Sequence, residues 1–214
     1  MGKLGMDTVE HIAEKFGEPS NGMIVRNVIR DDLYVAFREL NFDTGVEVGV
    51  YRGRNARVLF DTIPGLNLYL VDAYLQVGPK GWRSAKRQRH YFRRMKDKLA
   101  EEIENGQAHI VRKWSLDAVK DFEDKSLDFV YIDANHNFDF VIQDIIQWVP
   151  KVRRGGIVAG HDYYHARKSK NIGVIDAVDA YVNHHRLEWY LLDAEKINKK
   201  RLWQSNNTWF WVKR

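Results

Sequence analysis

Apolar residues along the chain follow two patterns: short continuous runs and longer stretches in which they recur at helical spacing. The continuous runs predict five strands, at 45–49, 66–71, 108–112, 128–132 and 157–160. The helical spacing predicts helices at 7–16, 31–40, 53–62, 83–104, 115–122, 138–149 and 173–183. Two later segments, 187–192 and 208–212, predict a closing antiparallel strand pair. This alternation predicts an α/β fold with a doubly wound, mostly parallel sheet.

No repeat, low-complexity tract or linker divides the chain. We therefore expect one globular unit over residues 43–214, preceded by a helical cap segment over residues 1–42. The cap segment contains Arg26 and Arg30 and could cover a site or take part in a homodimer. The sequence leaves both roles open.

Composition sets bounds on the class of protein. The chain is 44% hydrophobic and 29% charged, as in ordinary globular proteins, and no apolar run approaches the roughly 20 residues of a membrane span. The N-terminus lacks the apolar core of a signal peptide. Having no cysteine, the chain has no disulfide, thiolate metal site or cysteine nucleophile, so we expect a cytoplasmic protein without a membrane partner. The net charge of +5 permits anionic partners without requiring them.

A glycine motif separates the first predicted strand from its helix. Glu47-x-Gly49-x-x-x-Gly53 lets the backbone approach a ligand closely, because a glycine has no Cβ to collide with it. Asp72 ends the second strand, where an acid can accept hydrogen bonds from ribose hydroxyls. The glycines alone would suit a tight turn equally well, but Asp72 favours a ligand that contains a nucleoside.

Three polar residues follow the fourth and fifth strands. Asp133 and Asp162 end the strands, and His136 lies in the loop after Asp133. Adjacent parallel strands are about 4.8 Å apart, so the two carboxylates could hold one hard cation such as Mg²⁺ or Mn²⁺. His136, with an intrinsic pKa near 6.5, could act as a general base. A lone carboxylate could instead cap a helix, and a lone histidine could be structural, but their joint placement favours chemistry.

The order of these motifs resembles the class I S-adenosylmethionine-dependent methyltransferases. The motifs are Glu-x-Gly-x-x-x-Gly, Val71-Asp-Ala73, Asp128-Phe-Val-Tyr-Ile-Asp-Ala-Asn-His136 and Gly155-Gly-Ile-Val-Ala-Gly-His-Asp-Tyr163. The chain is most similar to the small metal-dependent O-methyltransferases that act on sugars of macrolides and glycans, and more distantly to catechol and caffeoyl-CoA O-methyltransferases. The resemblance covers about residues 43–182. It implies a Rossmann-like seven-stranded sheet and S-adenosylmethionine as the cofactor.

The resemblance also implies roles for individual residues. Gly49 and Gly53 would approach the methionine part of the cofactor with Glu47 nearby, and Asp72 would hold the ribose. The residues implied near the adenine are Trp114 and Ser115, although Ser115 could equally be a plain helix cap. Asp133 would contact the cofactor and, with Asp162, hold Mg²⁺ or Mn²⁺, while His136 is the base. His161 departs from the family, which commonly has a second acid there; as a metal ligand it would favour Mn²⁺.

Acceptor contacts are expected at Tyr163 and Tyr164. Trp82 could stack on a sugar from the basic stretch 80–98, although a solvated helix face explains that stretch more simply. The loop 165–173 could form a lid. The predicted function is therefore methyl transfer to a sugar or glycan hydroxyl, with a divalent metal.

Two other functions are compatible with parts of the sequence. The basic stretch 80–98 could serve a nucleic-acid methyltransferase, but the chain lacks an Asn/Asp-Pro-Pro-Tyr type motif and the cysteine that the C5-pyrimidine route uses, so nucleic acid is disfavoured. A non-catalytic binding protein on the same fold is the second alternative, and the intact Gly49, Asp72, Asp133 and His136 argue against it.

Overall fold

The computed structural model describes residues 7–75, 84–164, 173–193 and 207–214. Its helices are α1 Thr8–Phe16, α2 Arg30–Glu39, α3 Arg54–Thr62, α4 Ala85–Lys98, α5 Ala100–Glu104, α6 Ser115–Ala118, α7 Phe138–Trp148 and α8 Val174–His185. Its strands are β1 Met23–Arg26, β2 Thr44–Val48, β3 Asn67–Val71, β4 Ala108–Val111, β5 Leu127–Ile132, β6 Val152–Gly160, β7 Tyr190–Asp193 and β8 Thr208–Val212.

All of these strands form one sheet in the order β1-β7-β8-β6-β5-β2-β3-β4. Neighbouring strands are parallel except at β8, which is antiparallel to β6 and to β7. This confirms the predicted α/β fold with a mostly parallel sheet and a C-terminal antiparallel pair. The described sheet has eight strands where seven were expected. The additional strand is β1, which pairs in parallel with β7 at the edge; its four residues are too few to establish a period in the sequence.

One predicted helix is divided. The stretch 83–104 forms α4 and α5, because the backbone of Leu99 (φ −112°, ψ 26°) leaves the helical region. Leu99 itself is fully buried in the first core described below. The last strand before the antiparallel pair, β6, begins at Val152, five positions before the predicted start, and passes through Gly155 at φ +73°.

The sheet separates two hydrophobic cores, as expected for a doubly wound fold. Alternate residues of β5 point to opposite cores: Phe129 and Tyr131 to one, Val130 and Ile132 to the other. The first core contains buried residues of α1–α4, and the second contains buried residues of α7 and α8. The central strands are therefore covered on both faces, and polar groups reach solvent only at strand ends.

The start of α2 is fixed by a local hydrogen bond. The Asp32 carboxylate accepts the backbone N–H of Ile29 at 2.9 Å, so the helix begins at Arg30. Arg30 is buried, and it extends from the N-terminal segment to the carboxyl edge of the sheet. No helix within the described ranges is long and apolar enough to cross a membrane.

Candidate active site

A cavity of about 800 Å³ opens at the carboxyl ends of the central strands β2, β3 and β5. Most of the predicted site residues line it: Glu47, Gly49, Asp72, Trp114, Ser115, Asp133, His136 and His161. Gly53, Asp162, Tyr163 and Tyr164 lie outside this lining. Trp82 and the predicted lid, apart from Gly173, fall outside the described residues.

The two glycines of the first motif have different surroundings. Gly49 has φ +95°, and a Cβ placed there would lie 2.1 Å from the carbonyl oxygen of Asp133. The loops after β2 and β5 can therefore meet only because position 49 is glycine. Gly53 precedes α3 at φ +66°, and its Cβ would contact Met95 and Leu99. The structure thus places Gly53 at the packing of α3 on α4 and α5.

Asp72 organises the loop that follows β2. Its Oδ2 accepts the backbone N–H groups of Val50 at 3.2 Å and Tyr51 at 2.9 Å, and its Oδ1 accepts that of Tyr74 at 2.9 Å. Burial raises the pKa of Asp72, while these three hydrogen bonds oppose the rise. The carboxylate lines the cavity and has lone pairs left for a ribose hydroxyl.

Glu47 is the most deeply buried acid of the site, at 1% exposure. Burial raises its pKa to about 8. Its Oε2 and the Nδ2 of Asn55 are buried without a hydrogen bond of ordinary length, but Asn55 interacts with the Glu47 carboxyl and opposes the rise of its pKa. Both side chains line the cavity. The hydroxyl of Tyr34 holds Asn55 by donating to its Oδ1 at 2.6 Å.

Arg30 and Asn55 are buried polar lining residues that were not among the predicted site residues. Arg30 lies in the cap segment, and Asn55 is the second residue of α3. No spacing rule connects Arg30 with a site formed by residues after position 45. The position of Asn55 just after the glycine motif was the one available signal.

The predicted adenine side has a polar support. The Ser115 hydroxyl donates to the Asp144 carboxylate and accepts the indole N–H of Trp148 at 2.8 Å. Burial raises the pKa of Asp144 to about 6. Ser115 is therefore tied to α7, whereas Trp114 remains 48% exposed at the cavity wall.

The predicted reactive groups converge. His136 Nε2 lies 3.0 Å from Asp162 Oδ2 and 3.4 Å from Asp133 Oδ1. One ligand atom from each of these residues lies within 4.8 Å of the other two. Asp162 takes φ +61°, which is uncommon outside glycine and turns its carboxylate towards the loop after β5.

His161 does not belong to this group of three. It is buried, its Nδ1 lies 3.4 Å from Asp162 Oδ1, and its Nε2 has no hydrogen-bond partner among the described residues. His161 lines the cavity, but its Nε2 is itself buried. The prediction named His161 as the third metal ligand, while the geometry offers His136 in that position.

The two tyrosines predicted to contact the acceptor differ. The Tyr163 hydroxyl donates to Asp179 of α8 at 2.8 Å, and its ring packs on Trp189 at 5.3 Å. These contacts place it against the second core. Tyr164 is half-buried beside Asp162, and its backbone N–H donates to the Asp162 carbonyl at 2.8 Å.

A doubly wound sheet with its cavity at the carboxyl ends of the central strands defines an α/β class that binds nucleotide-like cofactors. Within that class, residues 46–163 match the family model described as a methyltransferase domain. This match spans more than half of the 214 residues, so the chain belongs to the methyltransferase domain family. The predicted methyltransferase membership is thereby confirmed, and it supports S-adenosylmethionine as the cofactor.

Solved structures show the same fold at low sequence identity. The chain is similar to an O-methyltransferase from Bacillus cereus in complex with SAH, with a TM-score of 0.62 and 13% identity over 86% of this chain and 80% of that one. A candidate caffeoyl-CoA O-methyltransferase from Staphylococcus aureus gives 0.61 and 13% over 86% and 82%. An rRNA methylase from Streptococcus thermophilus gives 0.58 and 11% over 86% and 93%. No curated protein matches the sequence.

Proposed function

We propose that the protein is an S-adenosylmethionine-dependent O-methyltransferase that transfers a methyl group to a hydroxyl of a sugar, in a glycan or a glycosylated small molecule. The observation that carries the proposal is the convergence of Asp133, His136 and Asp162 beside a cavity that also contains Gly49 and Asp72. A residue that can accept a proton, His136, and a loop that can hold a cofactor, the one after β2, therefore lie at the same edge of the sheet.

The cavity fits the cofactor in its polar groups. Glu47 offers an acceptor and Asn55 a donor at the cavity wall, where the two side chains also interact with each other. The amino-acid part of the cofactor carries an ammonium and a carboxylate, which could satisfy that acceptor and that donor. Asp72 would accept from a ribose hydroxyl. When bound, the cofactor supplies a methyl group activated on a sulfonium sulfur.

His136 would act as the general base. A hydroxyl is a poor nucleophile at neutral pH, and removal of its proton during attack contributes typically 10²–10⁴-fold to a rate. The adjacent carboxylates of Asp133 and Asp162 would hold the imidazole ring in place and stabilise its positive charge once the proton is transferred. Fixing the nucleophile near the reacting methyl supplies further acceleration.

The same three residues fit a divalent metal. Two carboxylate oxygens and one imidazole nitrogen are suitable ligands for Mn²⁺, and the carboxylates suit Mg²⁺. A divalent ion held by Asp133 and Asp162 would stabilise the developing alkoxide of the acceptor. One nitrogen cannot both bind the ion and accept the proton, so His136 acts either as a metal ligand or as the base. If His136 is the base, His161 would be the third metal ligand, as predicted from the sequence.

The sugar acceptor is supported by the similarity of the sequence motifs to sugar O-methyltransferases. The cytoplasmic location and the homodimer remain predictions of the sequence. The Bacillus cereus protein that shares this fold is an O-methyltransferase.

Calorimetry tests the proposal directly. S-adenosylhomocysteine should bind in the micromolar range with Mn²⁺, with Mg²⁺ or with a chelator, and Mn²⁺ should bind separately to the cofactor-saturated protein. Cofactor binding without metal binding would keep the methyltransferase and leave His136 as a metal-free base. Absence of cofactor binding in all three conditions would refute the enzyme and favour a binding protein on this fold.

A nucleic-acid methyltransferase is the second candidate. The observations in its favour are the basic helix α4, which has seven Lys or Arg and one acid, and the fold shared with an rRNA methylase. Such a protein would bind RNA with an affinity that falls steeply with salt concentration. Weak binding of an RNA oligonucleotide at low salt would exclude this candidate.

A further inference from the structure

Two tyrosines form a ring pair at the wall of the cavity. Tyr51 follows Val50 in the loop after β2, lines the cavity and is 42% exposed. Tyr91 is buried on α4, and the two ring centres lie 4.4 Å apart at 62°. Burial and the neighbouring Tyr91 side chain raise the pKa of Tyr51. We call Tyr51 and Tyr91 the tyrosine pair.

Arg52 is fixed over the tyrosine pair. Its guanidinium carbon is 4.9 Å from the centre of the Tyr51 ring and 4.7 Å from that of Tyr91. Its Nε is buried without a hydrogen-bond partner among the described residues. Stacking on two rings restricts the guanidinium to one orientation, so little entropy is lost when its remaining N–H groups bind a ligand.

Two further arginines surround the same pair. Arg54 is exposed, lines the cavity and acts electrostatically on Tyr51. Arg87 is exposed on α4 beside Gln88, which also lines the cavity, and it acts on Tyr91. The adjacent Tyr51 side chain, followed by the nearby Arg52 and Arg87, lowers the pKa of Tyr91.

Among the described residues, these three arginines differ from Arg57 in their ion pairing. Within the described ranges, no ion pair joins Arg52, Arg54 or Arg87 to a carboxylate. By contrast Arg57, one turn further along α3, pairs with Asp61 at 3.0 Å and with Glu102 at 2.7 Å. Arg54 lines the cavity, and Arg52 and Arg87 are next to the lining residues Tyr51 and Gln88, so this part of the cavity wall carries positive charge that favours an anionic ligand.

We infer that Arg52, Arg54 and Arg87 around the tyrosine pair bind an anionic group of the acceptor, so that the substrate is a sugar carrying a phosphate or a carboxylate. This inference rests on the proposed function, since it assigns the acceptor of the same cavity. The planar N–H fork of arginine matches two oxygens of either anion, and such charge-assisted hydrogen bonds are about twice as strong as neutral ones. A neutral sugar would leave three cations unpaired.

Arg52, Arg54 and Arg87, which we call the arginine cluster, are distinct from the reactive residues Asp133, His136 and Asp162. Arg54 and Tyr51 lie in the chain after β2, whereas His136 lies after β5, yet both sets line one cavity. An acceptor held by its anion at the cluster would extend its hydroxyl along the cavity. The cluster would then determine which sugars are used without taking part in the methyl transfer.

The test is calorimetry on the protein saturated with S-adenosylhomocysteine, at constant ionic strength. The probes are glucose, glucose 1-phosphate and glucuronate. At least one anionic probe should bind about tenfold or more tightly than glucose, the factor expected for one charge-assisted hydrogen bond. R52A and R87A should each remove most of that difference. Arg93 is exposed on α4 two positions from Tyr91, on the opposite side of the helix, so R93A is the matched control and should bind as the wild type does.

Each result decides one question. Preference for glucose 1-phosphate identifies a phosphate, and preference for glucuronate a carboxylate. Equal binding of all three probes, or an equal loss in R93A, overturns the inference. Loss of S-adenosylhomocysteine affinity in R52A also overturns it, because the cluster would then hold the cofactor carboxylate. Tighter, strongly salt-dependent binding of single-stranded RNA overturns it in favour of nucleic acid. No cofactor binding by the wild type would refute the proposed function itself.

Discussion

The carboxyl edge of the sheet has two halves that neutralise their acids in different ways. At the ends of β2 and β3, Asp72 is held by three backbone N–H groups, and burial keeps a proton on Glu47 near neutral pH. At the ends of β5 and β6, Asp133 and Asp162 both face His136. The first half is built from fixed groups and suits binding. In the second half, the charge can change by transfer of one proton or by uptake of one cation, which suits chemistry.

The largest effect should come from a change that disturbs both halves together. G49A would place a Cβ 2.1 Å from the Asp133 carbonyl oxygen and force alanine into φ +95°. We expect a loss of stability on the order of 3–5 kcal/mol and no cofactor binding. Urea unfolding measures it. G65A is the matched control, because Gly65 has φ +79° with nothing within 4 Å, and it should cost about 1 kcal/mol. Equal costs would show that the approach of the two loops is unimportant.

Separate changes should distinguish the halves. D72A leaves three N–H groups without an acceptor, so S-adenosylhomocysteine affinity should fall by about 100-fold or more.

H136A should leave that affinity within about threefold and lower the methylation rate by about 10²–10⁴-fold. Calorimetry and transfer of labelled methyl groups to sugar phosphates measure the two quantities, with exposed His184 replaced by alanine as the control. Wild-type turnover by H136A would remove His136 from the mechanism.

Glu47 makes the binding half sensitive to pH. Its pKa is about 8 in the folded protein and about 4.5 when unfolded, so the unfolded chain loses the proton first as pH rises. The contribution of the Glu47 carboxyl to the free energy of unfolding is therefore fully present below about pH 4.5. It decreases between about pH 4.5 and pH 8 and does not change further above that. E47Q has no such proton, and without ligand it should exceed the wild type in stability at about pH 9 by on the order of 5 kcal/mol. Thermal unfolding across pH tests this, with the exposed Glu104 changed to glutamine as control. A difference that is the same at every pH would contradict it.

The smallest effect should come from Ser115. S115A removes the donor to Asp144 and the acceptor of the Trp148 indole N–H, so we expect a stability loss of about 1–2 kcal/mol. S-adenosylhomocysteine affinity should change by less than about threefold, because the hydroxyl is already engaged by α7. A much larger loss of affinity would show that Ser115 contacts the cofactor directly.

Elements with a strong local signal were predictable from the sequence. The apolar runs of β2, β3, β5 and β6 and the motifs at their ends gave both the sheet and the convergence of Asp133 with Asp162. The short β1 and the break at Leu99 were missed, because each depends on packing against distant parts of the chain. The sequence left open whether the segment with Arg30 covers the site, since α2 is positioned by the core rather than by its own sequence, and the structure places Arg30 in the cavity lining. Sequence spacing also could not show that His136, rather than His161, would lie between the two carboxylates.

The position of β8 bears on the order in which the protein can be completed during synthesis. β8 follows all other described strands in the chain, yet it lies inside the sheet between β6 and β7. Until residues 208–212 have left the ribosome, β7 and its partner β1 have no neighbouring strand through which to join the sheet. The edge of β6 that pairs with β8 is also unpaired. The strand carries Trp209, Phe210 and Trp211, all buried, so it closes both cores at once. A nascent chain arrested before this point would expose an unpaired sheet edge, the kind of surface that chaperones and aggregation compete for.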